Sequence, residues 1–126
     1  INVNYCNLKY IDAVKLSNYD SNNSILAFVK RNLKIEVKHL FNPNGTLENI
    51  NIDQTFKLKD NTYLNIVVAN GTDKKTKEPI LIWQTTVYRK THIQKDELAE
   101  WCEYAHSIIS PLFKEMTKGK FYDSFK

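Results

Sequence analysis

Residues 49–59, with the sequence NINIDQTFKLK, alternate apolar and polar side chains and decide the fold of this chain. Ile50, Ile52, Phe56 and Leu58 fall on one face of an extended segment, and most of the polar side chains between them fall on the other. A repeat of two residues is typical of a β-strand with one buried and one solvated face. The segment therefore predicts a strand that covers a core on one side only.

The residues that follow extend this strand into an antiparallel sheet. Asp60-Asn61 predicts the turn of a hairpin that leads into a second strand over residues 63–69. We expect Asn70-Gly71 to end that strand. A proline at position 79 marks the start of a third strand over residues 80–90, and large side chains on both of its faces predict a central position in the sheet.

The flanking segments predict one more strand and two helices. Residues 3–16 mix β-branched, aromatic and polar side chains, which favours a long first strand. Residues 24–33 place apolar side chains at helical spacing, and residues 34–41 alternate in a way that suggests a short edge segment. A longer apolar stripe runs from Leu98 to Met116 and predicts a long helix, with Gly119 as its C-terminal cap.

Together these elements predict an α+β fold. We expect a mostly antiparallel sheet of four or five strands, packed against a short helix and a long C-terminal helix. Residues 1–126 form a single domain in this interpretation, because the chain is too short for two ordinary domains. Since it starts with Ile1 and enters directly into a strand pattern, we expect it to be part of a longer protein.

Composition restricts the classes of protein to which the chain can belong. Hydrophobic residues make up 42% and charged residues 25%, which is the balance of a globular protein. The net charge of +4 is carried mainly by lysine and permits binding to a polyanion without requiring it. No apolar run approaches the roughly 20 residues that cross a membrane. Cys6 and Cys102 are far apart in the sequence, and two reduced thiols are typical of a cytoplasmic protein.

The sequence contains no recognisable catalytic, cofactor or metal motif. Its three glycines are dispersed, whereas a phosphate-binding loop needs clustered glycines. His39 and His92 stand apart from other ligand residues. Cys102 and His106 are four residues apart on one helix, but two ligands do not make a zinc site. We therefore expect no enzyme activity, no cofactor and no metal.

Two stretches resemble a known family. Leu8-Lys9-Tyr10-Ile11 resembles the "LRYIN" strand of a sporadically distributed, uncharacterised family of prokaryotic proteins roughly twice as long. The long helix carries a closing pattern similar to that of the same family, H-x2-I-x3-F-x3-T, at His106, Ile109, Phe113 and Thr117. The resemblance implies the C-terminal half of such a protein and the same order of helices and strands. It implies no activity.

Three hypotheses for function follow. The leading one is a non-enzymatic binding or protein-interaction domain of a cytoplasmic prokaryotic or phage protein, whose partner is another protein or a second copy and not a membrane. Aromatic and arginine side chains carry most of the energy of interfaces, so we expect the contact at Tyr63, Trp83, Tyr88 and Arg89. The alternative is an apolar-ligand pocket between the sheet and the long helix, lined by Ile66, Val68, Leu81, Trp101, His106 and Ile108. Weak nucleic-acid binding is the third, through a basic patch with aromatic neighbours made by Tyr88, Arg89, Lys90, Lys9, Lys15 and the loop of Lys74, Lys75 and Lys77.

Overall fold

The computed structural model describes residues 2–3, 5–15, 25–90, 92–119 and 123. Its centre is a four-stranded sheet in the order β2-β5-β4-β3 with every neighbouring pair antiparallel. The strands are β2 (Cys6–Lys15), β3 (Asn51–Lys57), β4 (Thr62–Thr72) and β5 (Pro79–Arg89). Two short strands, β1 (Asn2–Val3) and β6 (Ile93–Gln94), pair separately.

Two helical segments accompany the sheet. Helix α1 (Ile25–Phe28) continues into a π-helical turn over Val29–Leu33. Helix α2 (Leu98–Thr117) follows a 3-10 turn over Lys95–Glu97. The predicted α+β fold is therefore confirmed, with a mostly antiparallel sheet, a short helix and a long C-terminal helix.

The β3–β4 hairpin forms where the alternating segment predicts it. Asp60 and Asn61 have φ angles of 55° and 54°, which short polar side chains adopt more readily than most residues. The Thr62 N–H donates to Lys59 O at 3.2 Å, and the Leu58 N–H donates to Thr62 O at 2.8 Å. Leu58 and Lys59 thus both lie opposite Thr62, which makes a β-bulge of two residues against one. This bulge sets the register in which Lys57 lies opposite Tyr63.

The predicted end of one strand and one predicted edge segment are wrong. Strand β4 continues through Asn70 and Gly71 to Thr72, because Asn70 and Gly71 stay paired with Leu81 and Ile80 of β5. The Asn70 side chain also accepts a hydrogen bond from the Ile50 N–H at 2.7 Å and donates one to Glu48 O at 2.7 Å, which holds the entry to β3 against β4. Residues 34–41 form no strand; they lie in a loop between Leu33 and β3.

One face of the sheet packs against the helices and forms the core. Trp83 stacks on Phe113 of α2 with ring centroids 5.9 Å apart and an interplanar angle of 15°. Trp101 of α2 donates its indole N–H to Thr62 Oγ1 at 3.3 Å, and both residues are buried. Burying a large apolar side chain contributes about 1.5–3 kcal/mol. The buried apolar core consists of Val14, Ile25, Phe28, Val29, Leu33, Leu64, Ile66, Val68, Leu81, Trp83, Val87, Ile93, Trp101, Ala105, Ile109 and Met116.

The C-terminal end of α2 is held by a lysine from the other helical segment. Lys34 has a positive φ of 58° just after the π-helical turn, and its Nζ donates to Met116 O at 3.3 Å and to Lys118 O at 2.8 Å. A cation is favourable at the negative end of a helix dipole. Gly119 follows with a φ of 111°, so the predicted end of the helix is confirmed.

Candidate functional site

The second face of the four-stranded sheet points away from α2, and we call it the open face. Its exposure is clearest at the edge strand, where the Ile11 side chain is 60% exposed. Side chains on this face alternate with those of the core along each strand. Three rows of paired residues cross it: Asn7–Tyr88–Tyr63–Lys57, Lys9–Thr86–Asn65–Thr55 and Ile11–Gln84–Val67–Asp53.

Three tyrosines form a continuous row at one end of the open face. Tyr88 lies in the middle, with its ring centroid 5.4 Å from that of Tyr63 and an interplanar angle of 20°. Tyr5, just before β2, places its ring 6.3 Å from that of Tyr88 at an angle of 33° and is 51% exposed. Stacked and tilted aromatic rings at these distances attract one another. The tyrosine row therefore presents aromatic surface to solvent without needing a partner to hold it in place.

Lysines surround the tyrosine row. Lys57 lies directly opposite Tyr63 in the β3–β4 register, and Lys90 places its Nζ 5.7 Å from the centre of the Tyr88 ring. Lys9 lies in the next row, opposite Thr86, and all three lysines are exposed. We call the three tyrosines and Lys9, Lys57 and Lys90 the tyrosine–lysine surface.

Asp53, on the open face, and Glu78, at the far end of the sheet, are already engaged. Asp53 Oδ1 accepts a hydrogen bond from the Asn65 side chain at 2.7 Å. Glu78 Oε2 lies 3.0 Å from Lys15 Nζ, at the far end of the sheet from Tyr88. The lysine charges beside the tyrosines are thus not paired with a carboxylate in the described ion pairs.

Thr86 is a polar residue enclosed beneath this surface. It is 6% exposed, and its Oγ1 has no hydrogen-bond partner among the described residues. Buried hydroxyls nearly always have such a partner, so this atom is an unused donor and acceptor in the middle of the open face.

The four residues predicted for the interaction surface do not lie together. Tyr63 and Tyr88 share the open face, as the prediction requires. Trp83 is corrected: it is 1% exposed and stacks on Phe113 inside the core, so its ring cannot touch a partner. Arg89 is corrected as well, because it follows Tyr88 in the strand and must point to the opposite face, where its Nη2 donates to His92 O at 3.5 Å.

The residues predicted for an apolar pocket are also corrected. Ile66, Val68 and Leu81 are buried members of the core. His106 is exposed on α2, and Ile108 is partly buried against the core. Trp101 lines a cavity, but a different one, as described next. Trp83 of β5 and Phe113 of α2 stack between the sheet and the helix, in the region where that pocket was expected.

A cleft of about 280 Å³ lies beside the first turns of α2. Its wall mixes opposite charges, and Lys59 places its Nζ 5.1 Å from the centre of the Tyr104 ring. Its volume is at the lower limit for small-molecule sites, and its charged lining is unlike their mostly apolar walls. The lining residues are Lys59, Asp60, Thr62, Arg89, Ile93, Glu97, Glu100, Trp101 and Tyr104.

A second exposed apolar feature lies in the loop between Leu33 and β3. Leu40 is 96% exposed, and Phe41 is exposed with its ring 5.4 Å from that of His39. Two apolar side chains on a loop make a small patch, and single exposed hydrophobic residues are normal on protein surfaces.

Nothing among the described residues assembles a metal site or a nucleophile with its base. No group of three or more His, Cys, Asp or Glu side chains comes together in that part of the chain. Burial, with a smaller contribution from the Cys102 thiol, raises the pKa of Cys6 despite the opposing charge of Arg89, which disfavours its reactive thiolate. Over the described residues, no helix is long and apolar enough to cross a membrane.

Sequence reasoning missed Tyr5 and Lys57 as members of the site. Lys57 lies on the polar side of the alternating segment, but only the register of the hairpin places it beside Tyr63. Tyr5 lies just before its strand begins, where alternation gives no signal. Comparison with known proteins adds no further guide, because the chain matches no family model, no curated protein and no solved structure. The resemblance at Leu8 and His106 therefore stays a prediction.

Proposed function

We propose that this chain is a non-enzymatic binding domain that holds its partner on the open face of the sheet. The observation that carries the proposal is the tyrosine–lysine surface, in which the exposed Tyr5 and the half-buried, stacked pair Tyr63 and Tyr88 lie among three exposed lysines. Aromatic side chains contribute most to binding when they are rigid before the partner arrives, because little conformational entropy is then lost. Pairing in the sheet and ring contacts provide that rigidity here.

The opposite side of the molecule supports the same assignment. There the sheet is covered by α2, and most of the side chains expected to line an apolar pocket belong to the core or pack against it, while His106 is exposed. The small cleft beside α2 has both positive and negative walls. The open face is therefore the described surface that combines three aromatic rings with three exposed lysines.

Native mass spectrometry of the protein purified gently from its host tests this proposal. The wild-type chain is expected to retain a bound mass or to assemble with a partner, and the double variant Tyr63→Thr/Tyr88→Thr is expected to lose it. Threonine suits a strand, so the fold should survive the exchange. The control variant is Tyr104→Ala, which removes a tyrosine from α2 on the other side of the sheet.

Two outcomes would contradict the placement of the binding surface on the open face. One is a bound mass that the double variant retains, and the other is a bound mass that the control variant also loses. Circular dichroism of all three proteins must show the same folded signal, so that a lost partner is not a lost fold.

A further inference from the structure

The chemistry of the open face allows the class of partner to be named. We infer that the tyrosine–lysine surface binds single-stranded nucleic acid. This inference rests on the proposed function, because it takes the open face as the binding surface and adds what occupies it.

The tyrosine row suits unpaired bases. Each base has a flat π face, and stacking on an exposed aromatic side chain holds it with little dependence on sequence. Four-stranded sheets that bind RNA use aromatic side chains on one face to stack two or three bases, and the row of Tyr5, Tyr88 and Tyr63 offers a similar number of rings. A duplex keeps its bases stacked on one another, so the same rings have nothing to stack on.

The charges around the row suit a phosphate backbone. Lys57 lies beside Tyr63 at one end of the row, Lys90 lies over the ring of Tyr88, and Lys9 lies in the neighbouring row. The α2 region has the opposite sign, because residues 95–118 carry five acidic and three basic side chains. The net positive charge of the chain therefore resides outside the α2 region, and an anionic strand is repelled by α2 and attracted to the lysines of the open face.

Hydrogen-bonding groups on the face add contacts but little specificity. Asn7 lies in the tyrosine row and Gln84 two rows away, and each amide has both a donor and an acceptor for a base edge. Asn65, between them, donates to Asp53 and Thr55 and is already engaged. We therefore expect a preference for single strands over duplexes and only a weak preference among bases.

Other occupants fit the same surface less well. A second copy bound face to face about a twofold axis would bring lysines of one chain toward lysines of the other, and like charges oppose such a contact. The centre of a protein interface is usually depleted of charged residues, whereas lysines here flank the aromatic row itself. Self-association and a protein partner are kept as outcomes of the test.

Fluorescence anisotropy with labelled 12-nucleotide oligo(U) and oligo(dT) tests the inference, with a hairpin duplex of the same length as the competitor. The full chain is expected to bind both single strands and to prefer them to the duplex by at least tenfold. Neutralising three phosphates gives a slope of about −2 in the logarithm of affinity against the logarithm of salt concentration. Affinity should therefore fall about 20-fold between 50 and 200 mM salt.

Matched variants separate stacking from charge. Tyr88→Thr is expected to weaken binding at least fivefold, as expected for the loss of one stacked base, while Tyr88→Phe keeps the ring and should change affinity less than twofold. Lys9→Ala is expected to reduce the salt slope by about 0.7. Lys114→Ala, on α2, is the charge control and should leave the slope unchanged.

The outcomes also separate this inference from the proposed function. If neither oligonucleotide binds while the wild-type chain keeps a partner that the double tyrosine variant loses, the inference is wrong and the proposed function stands. If the duplex binds as tightly as the single strands, or Tyr88→Phe is as weak as Tyr88→Thr, stacking on bases is excluded. A stable dimer abolished by Tyr88→Thr would replace nucleic acid with a second copy as the occupant.

Discussion

Replacing Trp83 separates a residue of the core from the residues of the surface. Its side chain is 1% exposed and stacks on Phe113, so Trp83→Ala removes a buried indole and leaves a cavity. Such truncations cost about 3–5 kcal/mol, out of about 5–15 kcal/mol for a whole domain. At about 2.1 cal/mol/K per residue, 126 residues give an unfolding entropy of roughly 0.26 kcal/mol/K. A loss of about 4 kcal/mol therefore lowers Tm by about 15 °C.

Urea unfolding followed by circular dichroism at 222 nm measures this loss without depending on the removed fluorophore. Trp83→Phe, which keeps a ring against Phe113, is the control and should lose clearly less stability than Trp83→Ala. Tyr88→Thr, on the open face, should lose less than about 1.5 kcal/mol, because its side chain is only partly buried. A loss below about 1 kcal/mol for Trp83→Ala, with an unchanged m-value, would refute the buried stack.

Three further predictions concern individual side chains outside the open face. Thr62→Val removes the acceptor of the buried Trp101 indole N–H and should lower the free energy of unfolding by about 1–3 kcal/mol. In the double variant with Trp101→Phe, the total loss should be smaller than the sum of the two single losses. Additive losses would show that the hydrogen bond contributes nothing to stability. Burial raises the pKa of Asp12 above its ordinary 3.8, so the stability it contributes is fully present below that pH and is lost as pH rises through the raised pKa. Asp12→Asn should therefore be more stable than wild type at pH 7 and not at pH 3, as measured by urea unfolding at both; equal differences at the two pH values would contradict the shift. Iodoacetamide should label the exposed Cys102 before Cys6, whose pKa is raised by burial. Mass spectrometry of the labelled peptides measures the order, and faster labelling of Cys6 would contradict the prediction.

Alternation along the strands carried most of the correct predictions. Strand β3 (Asn51–Lys57), the turn at Asp60-Asn61 and the central strand that starts at Pro79 all follow from a repeat of two residues and from turn chemistry, although Phe56, expected on the buried face, is 46% exposed. These signals are local, so a single sequence contains them. The break expected at Asn70-Gly71 failed because pairing with β5 on one side and the Asn70 side-chain hydrogen bonds on the other outweigh a local turn preference.

The site was harder to predict because it depends on which face the helices cover. In a central strand with large side chains on both faces, the sequence does not indicate which face is buried, and the expectation that Trp83 contacts a partner is therefore wrong. Arg89 could have been separated from Tyr88 by alternation alone, since adjacent residues in a strand point to opposite faces. The meeting of Lys57 with Tyr63 required the register, which the extra residue at the hairpin turn determines.

The most direct test of the open face as the binding surface is site-specific photo-crosslinking in host cells. A benzophenone amino acid replaces Ile11, which is exposed on this face, and in parallel chains it replaces Leu40 in the loop or Glu103 on α2. Irradiation is expected to give a covalent adduct from position 11, which Tyr63→Thr/Tyr88→Thr abolishes, and none from position 103. Adducts from position 40 or 103 with none from position 11 would contradict the account and move the binding surface to the loop or to the helix.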